Sequence, residues 1–198
     1  LGLESVIGSR VPEEVIPDSI KGILKSDKWE LLLINSEYKV ASDNVNTQID
    51  ELNAVLKAGT FAPTGRGLQS PKMVVVQNKE IIEKLSKINA EIMGADVDPF
   101  YGAPTVIIVF ADSRVNTYLE DGTLVMGNLL LAAHACDLGA CWIHRAKQTF
   151  ETEEGKALMK KWGLDENYVG IGNCILGYAA SPLPEAKPRK DDYIIYVK

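Results

Sequence analysis

Residues 58–72 have the sequence AGTFAPTGRGLQSPK, and this segment joins a predicted helix to a predicted strand. Its three glycines and two prolines exclude a helix or a central strand, because glycine favours turns and proline fixes φ and lacks an N–H. Thr64, Arg66 and Gln69 supply a hydroxyl, a guanidinium and an amide, which together suit a polar, partly anionic, planar ligand. The alternative is an ordinary connection with incidental polar residues, but ordered loops of this length are more often functional.

Hydrophobic periodicity predicts helices and strands on both sides of the loop. Ile49, Leu52, Val55 and Leu56 recur at helical spacing, and Gly59 is predicted to end that helix as a C-terminal cap. The remaining predicted elements are strand 73–77, a helix with apolar positions 81, 85, 88 and 92 that stops at 94, strand 105–111 buried on both faces, helix 124–138, strand 140–144, helix 151–162, strand 171–178 and strand 193–197. This alternation predicts an α/β or α+β domain built on one layered sheet.

The helix predicted over residues 124–138 is apolar nearly all round. Such a helix needs cover on every side, from its own core or from a partner subunit. Gly127, Ala132 and Ala133 are small enough to let another helix approach closely. His134 lies on this helix, and we expect it to be a packed, hydrogen-bonded core residue.

Composition limits the classes of function. The chain has 198 residues, 46% hydrophobic and 24% charged, which fits one globular domain. Its net charge of −6, without a basic stripe, argues against nucleic acid as a partner. Neither a signal peptide nor a membrane span is predicted. Cys136, Cys141 and Cys174 lie in apolar contexts that suit buried thiols in a reducing cytosol, so we expect a cytoplasmic location.

Familiar catalytic motifs are missing from the chain, which has no Gly-x-Ser-x-Gly, no P-loop and no His-Glu-x-x-His. Residues 65–67, Gly-Arg-Gly, lack the third glycine of a dinucleotide fingerprint and lead into a strand rather than a helix. A metal site can be drawn from His134, Cys136, Cys141 and His144, but the spacing matches no standard zinc motif, so no metal is predicted. A chain without its own nucleophile or base suits a cofactor that performs the redox chemistry.

Several segments, in the same order, resemble the FMN-dependent nitroreductases. Residues 62–71, APTGRGLQSP, are similar to that family's Ala-Pro-Ser-x-x-Asn-x-Gln-Pro-Trp loop. The other similar segments are 101–109 (YGAPTVIIV, its central strand), 121–134 (DGTLVMGNLLLAAH, its long buried helix), 138–143 (LGACWI, its strand beside the flavin) and 172–178 (GNCILGY, its final strand), followed by the basic pair Lys187 and Arg189. The resemblance spans about residues 47–198, so we expect one domain there, preceded by a poorly matched segment, 1–46.

The resemblance implies an α+β three-layer fold, with a central mixed, mainly antiparallel sheet flanked by helices, in a homodimer that holds FMN at the subunit interface. It implies an oxidoreductase in which NADH or NADPH gives a hydride to FMN. A small electron-poor acceptor (a nitroaromatic, quinone or enone) then takes the electrons in a ping-pong mechanism. The flavin performs the chemistry, so no catalytic side chain is implied. The cofactor-binding residues it implies are Thr64, Gly65, Arg66, Gly67 and Gln69 in the loop, Ile143, His144 and Arg145 at the strand end, and Lys187 and Arg189 at the phosphate. Composition alone leaves the last two equally open as a solvated basic tail.

One family feature is absent. The Arg-Arg-Ser motif, whose arginines hold the FMN phosphate and ribityl chain, is replaced here by residues 35–39, Asn-Ser-Glu-Tyr-Lys, where only Lys39 is basic and Glu37 has the opposite charge. Two alternatives therefore stay open. One is a flavin storage or sensor protein with little turnover, and the other is a dimeric scaffold that has lost its cofactor.

Overall fold

The computed structural model describes residues 43–179, 181 and 185–197. Helices and strands follow one another as α1 (Asp43–Thr60), β1 (Pro71–Val76), α2 (Lys79–Met93), β2 (Thr105–Asp112), α3 (Tyr118–Ala135), β3 (Gly139–Ile143), α4 (Ala146–Glu151), α5 (Glu153–Lys161) and β4 (Tyr168–Gly177). The sheet and helices α2–α5 belong to one compact unit, Ala54–Lys198. The predicted division at residue 46 falls inside α1 and stays a prediction.

The four strands form one sheet in the order β1-β2-β4-β3, and every neighbouring pair is antiparallel. Strand β2 lies at the centre, and its residues 106–111 are fully buried, as the continuous apolar run predicts. The register between β2 and β4 shifts between Val109 and Phe110, which leaves Ile171 as the extra residue of a β-bulge. The predicted α+β fold with helices and an antiparallel sheet is therefore confirmed.

Helix α2 is bounded by a capping residue at each end. The Asn78 side chain accepts a hydrogen bond from the Ile81 N–H at 3.0 Å and begins the helix. Gly94 ends it with a φ of +72°, a conformation that glycine adopts without strain. Ile82, Leu85 and Ile88 lie on its buried face.

A tight turn follows α2. The Asp98 carboxylate accepts hydrogen bonds from the Ser86 hydroxyl, at 2.5 Å, and from the N–H groups of Phe100 and Gly102, at 2.8 and 2.6 Å. Burial on its own raises the pKa of Asp98, but these hydrogen bonds outweigh it, so the pKa lies below its usual value. The turn presents Tyr101, an exposed ring on a residue with a φ of +54°.

Three predicted features of the chain are wrong in detail. Gly59 is not a cap, since it lies inside α1, where an added Cβ would sit 2.8 Å from Met73 Sδ and 3.0 Å from Leu129 Cδ2. The predicted helix 151–162 begins two residues later, as α5, because Thr152 is extended and its hydroxyl caps α5 by accepting from the Gly155 N–H at 3.0 Å; the short helix α4 before it was not predicted. Residues 193–197 pair with no strand in the described part of the chain and are exposed.

Among the described residues, no helix has both the length and the apolar character needed to cross a membrane.

Candidate functional site

The loop after α1 is a tight turn that uses up most of its own backbone donors. Residues Gly65–Gly67 form one turn of 3-10 helix, in which Arg66 has a φ of +56° and Gly67 a φ of +68°. The Gly67 and Leu68 N–H groups donate to the Thr64 and Gly65 carbonyls at 3.0 and 3.1 Å. The Gln69 N–H donates to Thr64 Oγ1 at 3.1 Å. Thr64 therefore stabilises the turn through both its carbonyl and its hydroxyl.

A buried carboxylate attaches this loop to α3. Asp121, only 2% exposed, accepts from the Gly65 N–H through Oδ1 at 2.8 Å and from the Ser70 hydroxyl through Oδ2 at 2.7 Å. A Cβ on Gly65 would overlap the Thr117 side chain, so only glycine fits at this approach. Sequence reasoning placed Asp121 inside a family segment but gave it no role, because a contact across 56 residues leaves no periodic signal.

The loop can therefore meet a ligand mainly through side chains. The N–H groups of Gly65, Gly67, Leu68 and Gln69 already have acceptors within the chain, and the Asp121 charge beside Gly65 opposes a phosphate at that position. Arg66 and Gln69 are exposed, and both have a positive φ. Of the predicted loop residues, Arg66 and Gln69 remain available to a ligand, while Thr64, Gly65 and Gly67 shape the turn.

The second part of the predicted site is the corner between β3 and α4, residues 143–145. The Ile143 carbonyl accepts from Asn173 Nδ2 at 3.3 Å, and the His144 carbonyl accepts from Asn89 Nδ2 at 2.9 Å. Arg145 has a φ of +72° and donates from Nε to Asn89 Oδ1 at 3.0 Å. Two buried asparagines, neither of them predicted, thus fix the direction of this corner.

The predicted phosphate-facing pair, Lys187 and Arg189, is exposed in the tail. Arg189 Nη1 donates to the Lys187 carbonyl at 2.8 Å, so the two residues form a local turn, and neither positive charge has an acidic partner among the described residues. Their contact with phosphate stays a prediction.

Other residues singled out by the sequence lie differently from expectation. His134 is exposed on α3, so its predicted place in the core is wrong, because this face of the helix points away from the sheet. Cys141 is exposed too, whereas Cys174 is buried and its desolvation raises the pKa of its thiol to about 12, which keeps it neutral. Within the described ranges, no three His, Cys, Asp or Glu side chains are placed to share a metal ion.

The sequence is similar to known nitroreductases. Residues 93–178 match the model of the Nitroreductase family. A protein of Archaeoglobus fulgidus with the provisional name NADH dehydrogenase/NAD(P)H nitroreductase is 29% identical over 135 residues, which cover 65% of this chain and 72% of that protein. A protein of Methanothermobacter thermautotrophicus with the same provisional name is 32% identical over 95 residues, which cover 46% of this chain and 47% of that protein.

A solved structure extends the similarity to the fold. The nitroreductase of Bacteroides fragilis, crystallised with bound FMN, is 25% identical and superposes with a TM-score of 0.68 over 80% of this chain and 100% of its own. This chain is therefore an α+β protein with the nitroreductase fold. The Nitroreductase family is the family its sequence matches, and the resemblance indicated by the motifs is confirmed. These matches support an oxidoreductase.

Proposed function

We propose that this chain is an FMN-dependent NAD(P)H oxidoreductase that reduces a small electron-poor acceptor, such as a nitroaromatic, a quinone or an enone. The observation that carries the proposal is the presence of two preformed features, the Asp121-bound loop and the 143–145 corner, in a fold shared with an FMN-bound relative. When bound, the flavin accepts a hydride from NADH or NADPH and passes the electrons to the acceptor.

The donors that the chain leaves free fit such a cofactor. Arg66 and Gln69 offer a guanidinium and an amide for the polar edge of a flavin or its ribityl chain. Lys187 and Arg189 offer two positive charges for a terminal phosphate, where a guanidinium can bind two oxygens at once. The Arg145 N–H donates to no acceptor within the described chain, which leaves it free for a ligand.

In this proposal the residues bind and orient, and none transfers a proton. Asp121 and Thr64 hold the loop in one conformation, so a ligand meets a preformed surface. Asn173 and Asn89 hold the carbonyls of the corner on the protein side. Gly172 lets the Trp142 ring pack close, since a Cβ there would overlap the indole nitrogen.

A homodimer is part of the proposal, and helix α3 supports it. Leu124 and Leu131 are 45% and 71% exposed and lie seven residues apart on one face. Between them lies Gly127, and apart from the backbone of its own helix no atom of the described residues comes within 4 Å of an added Cβ, so a second backbone can approach closely there. Exposed leucines beside a small residue suit the same helix of a second copy, in a symmetric contact. We also propose that the protein works in the cytoplasm.

The test is the absorbance of the purified protein and its response to added FMN. We expect a yellow protein that prefers FMN over riboflavin and FAD, because the basic pair recognises a terminal phosphate. Addition of NADH or NADPH in the absence of oxygen should bleach the flavin, and an added quinone should restore its colour. Binding without bleaching would favour the storage or sensor alternative, and a protein that stays colourless with FMN would favour the lost-cofactor scaffold.

A further inference from the structure

Asn89 is a polar residue in the buried face of α2, and both ends of its side chain are used at the 143–145 corner. It is 0% exposed, donates from Nδ2 to the His144 carbonyl at 2.9 Å and accepts from Arg145 Nε at 3.0 Å. We propose that Asn89 is a positioning residue that directs the Arg145 N–H toward the bound cofactor. This inference rests on the proposed function.

The argument comes from the planarity of the peptide bond. The His144 carbonyl and the Arg145 N–H belong to one peptide unit, and no described peptide bond is cis. In a planar trans unit the C=O and N–H point in opposite directions. By holding the carbonyl on its own side, Asn89 turns the Arg145 N–H away from α2. Arg145 is partly buried, and its N–H has no acceptor among the described residues, so it is a donor prepared for a ligand.

The second hydrogen bond stabilises an unfavourable backbone conformation. Arg145 has a φ of +72°, which a non-glycine residue seldom adopts unless neighbouring contacts hold it there. Its guanidinium lies between Asn89 Oδ1 and Met93 Sδ, at 3.0 and 3.1 Å, so both anchors come from α2. Asn89 therefore fixes two consecutive residues of the corner, one through the backbone and one through the side chain.

Only an amide of this length satisfies both contacts. Aspartate has the same shape and still accepts from Arg145, but it puts a second oxygen against the His144 carbonyl. Leucine keeps the volume and removes both hydrogen bonds. Ser86 is a control on the same buried face of α2, because its hydroxyl bonds to Asp98 and not to the corner.

The experiment compares Asn89→Asp, Asn89→Leu and Ser86→Ala with the wild-type chain. The measurements are FMN dissociation constants by flavin fluorescence, the reduction potential of bound flavin, and amide hydrogen exchange of the corner in the cofactor-free protein. We expect Asn89→Asp to weaken FMN binding at least about tenfold, to shift the potential and to speed exchange of the Thr149 N–H, which donates to the Arg145 carbonyl at the corner at 2.9 Å. Ser86→Ala should keep the dissociation constant within about twofold and leave the potential unchanged.

Three results would overturn the inference. In the first, Asn89→Asp keeps the affinity and the potential of the wild type. In the second, Ser86→Ala weakens FMN as much as Asn89→Asp does, which would mean a general loss of stability. The third is unchanged hydrogen exchange at the corner in both Asn89 variants. Hydrogen exchange needs no cofactor, so it judges the role of Asn89 even if the wild-type chain binds no FMN. If the wild-type chain binds no FMN, the proposed function is refuted, while the role of Asn89 at the corner is still tested.

Discussion

Replacing Asp121 tests how the site is held together. Asp121→Ala leaves two donors without an acceptor, the Gly65 N–H and the buried Ser70 hydroxyl. An unsatisfied buried donor costs about 1–3 kcal/mol, and the part-buried Gly65 N–H adds less than the buried Ser70 hydroxyl, so the free energy of unfolding should fall by about 2–4 kcal/mol. That is a large share of the roughly 5–15 kcal/mol that stabilises a typical domain. FMN affinity should fall at least about tenfold, because the loop loses its attachment to α3.

Asp121→Asn separates shape from charge. The amide oxygen can accept from the Gly65 N–H, while the amide nitrogen donates to the Ser70 hydroxyl, which then acts as acceptor. Both contacts survive as neutral hydrogen bonds, so we expect a loss of only about 1 kcal/mol.

Urea denaturation of the cofactor-free variants, followed by FMN titration, measures both effects. Asp165→Ala is the control, because that exposed carboxylate also accepts two hydrogen bonds, from the backbone and side-chain nitrogens of Asn167. It should cost less than about 1 kcal/mol and leave FMN binding unchanged. The reasoning fails if Asp121→Ala is no more destabilising than Asp165→Ala, or if Asp121→Asn is as damaging as Asp121→Ala.

Three further outcomes are expected. Leu131→Glu should give monomers in sedimentation and release flavin, because it puts a charge in the proposed contact between copies. The control Lys87→Glu, at an exposed position of α2, should stay dimeric. A dimeric Leu131→Glu variant would contradict the α3 interface. Arg189→Ala should raise the FMN dissociation constant about tenfold, because a charged hydrogen bond is lost. In fluorescence titrations this increase should exceed that of Lys39→Ala, at a position outside the described residues. A larger increase for Lys39→Ala would place the phosphate at the N-terminal segment. The folded-state pKa of Asp98 is lowered, because its hydrogen bonds outweigh burial. Its contribution to the free energy of unfolding is therefore complete above the unfolded-state pKa and is lost as the pH falls through the folded-state pKa. In urea titrations, Asp98→Asn should reduce the loss of stability at acid pH, and an unchanged loss would refute the assignment.

Much of the fold could be predicted because local patterns determine it. The apolar run of β2 identifies a strand buried on both faces, and Gly94 marks the end of α2. Prediction failed where the role of a residue depends on contacts with residues far away in the sequence. Gly59 looks like a helix end in the sequence, but it lies within α1, where the Met73 and Leu129 side chains pack close to it.

The same distinction holds for the candidate site. The loop was found because glycine, proline and polar residues cluster within a short segment, and the strand end was found because it resembles a family segment. Asp121 and Asn89 were given no role, since their partners lie about 55 residues away and neither side chain interrupts its helix. A buried polar residue in a helix resembles a solvated one in sequence, and only its burial shows that it must have a partner.

The two missed residues also bear on where a phosphate can bind. A glycine-rich loop ordinarily suggests backbone N–H groups around an anion, but here those of Gly65, Gly67 and Gln69 already have acceptors. The acceptor of Gly65 is a carboxylate, so an anion at that point would meet a negative charge. Cationic side chains are therefore better placed than these backbone groups to recognise a phosphate, and a preference for FMN over riboflavin should weaken as salt screens them.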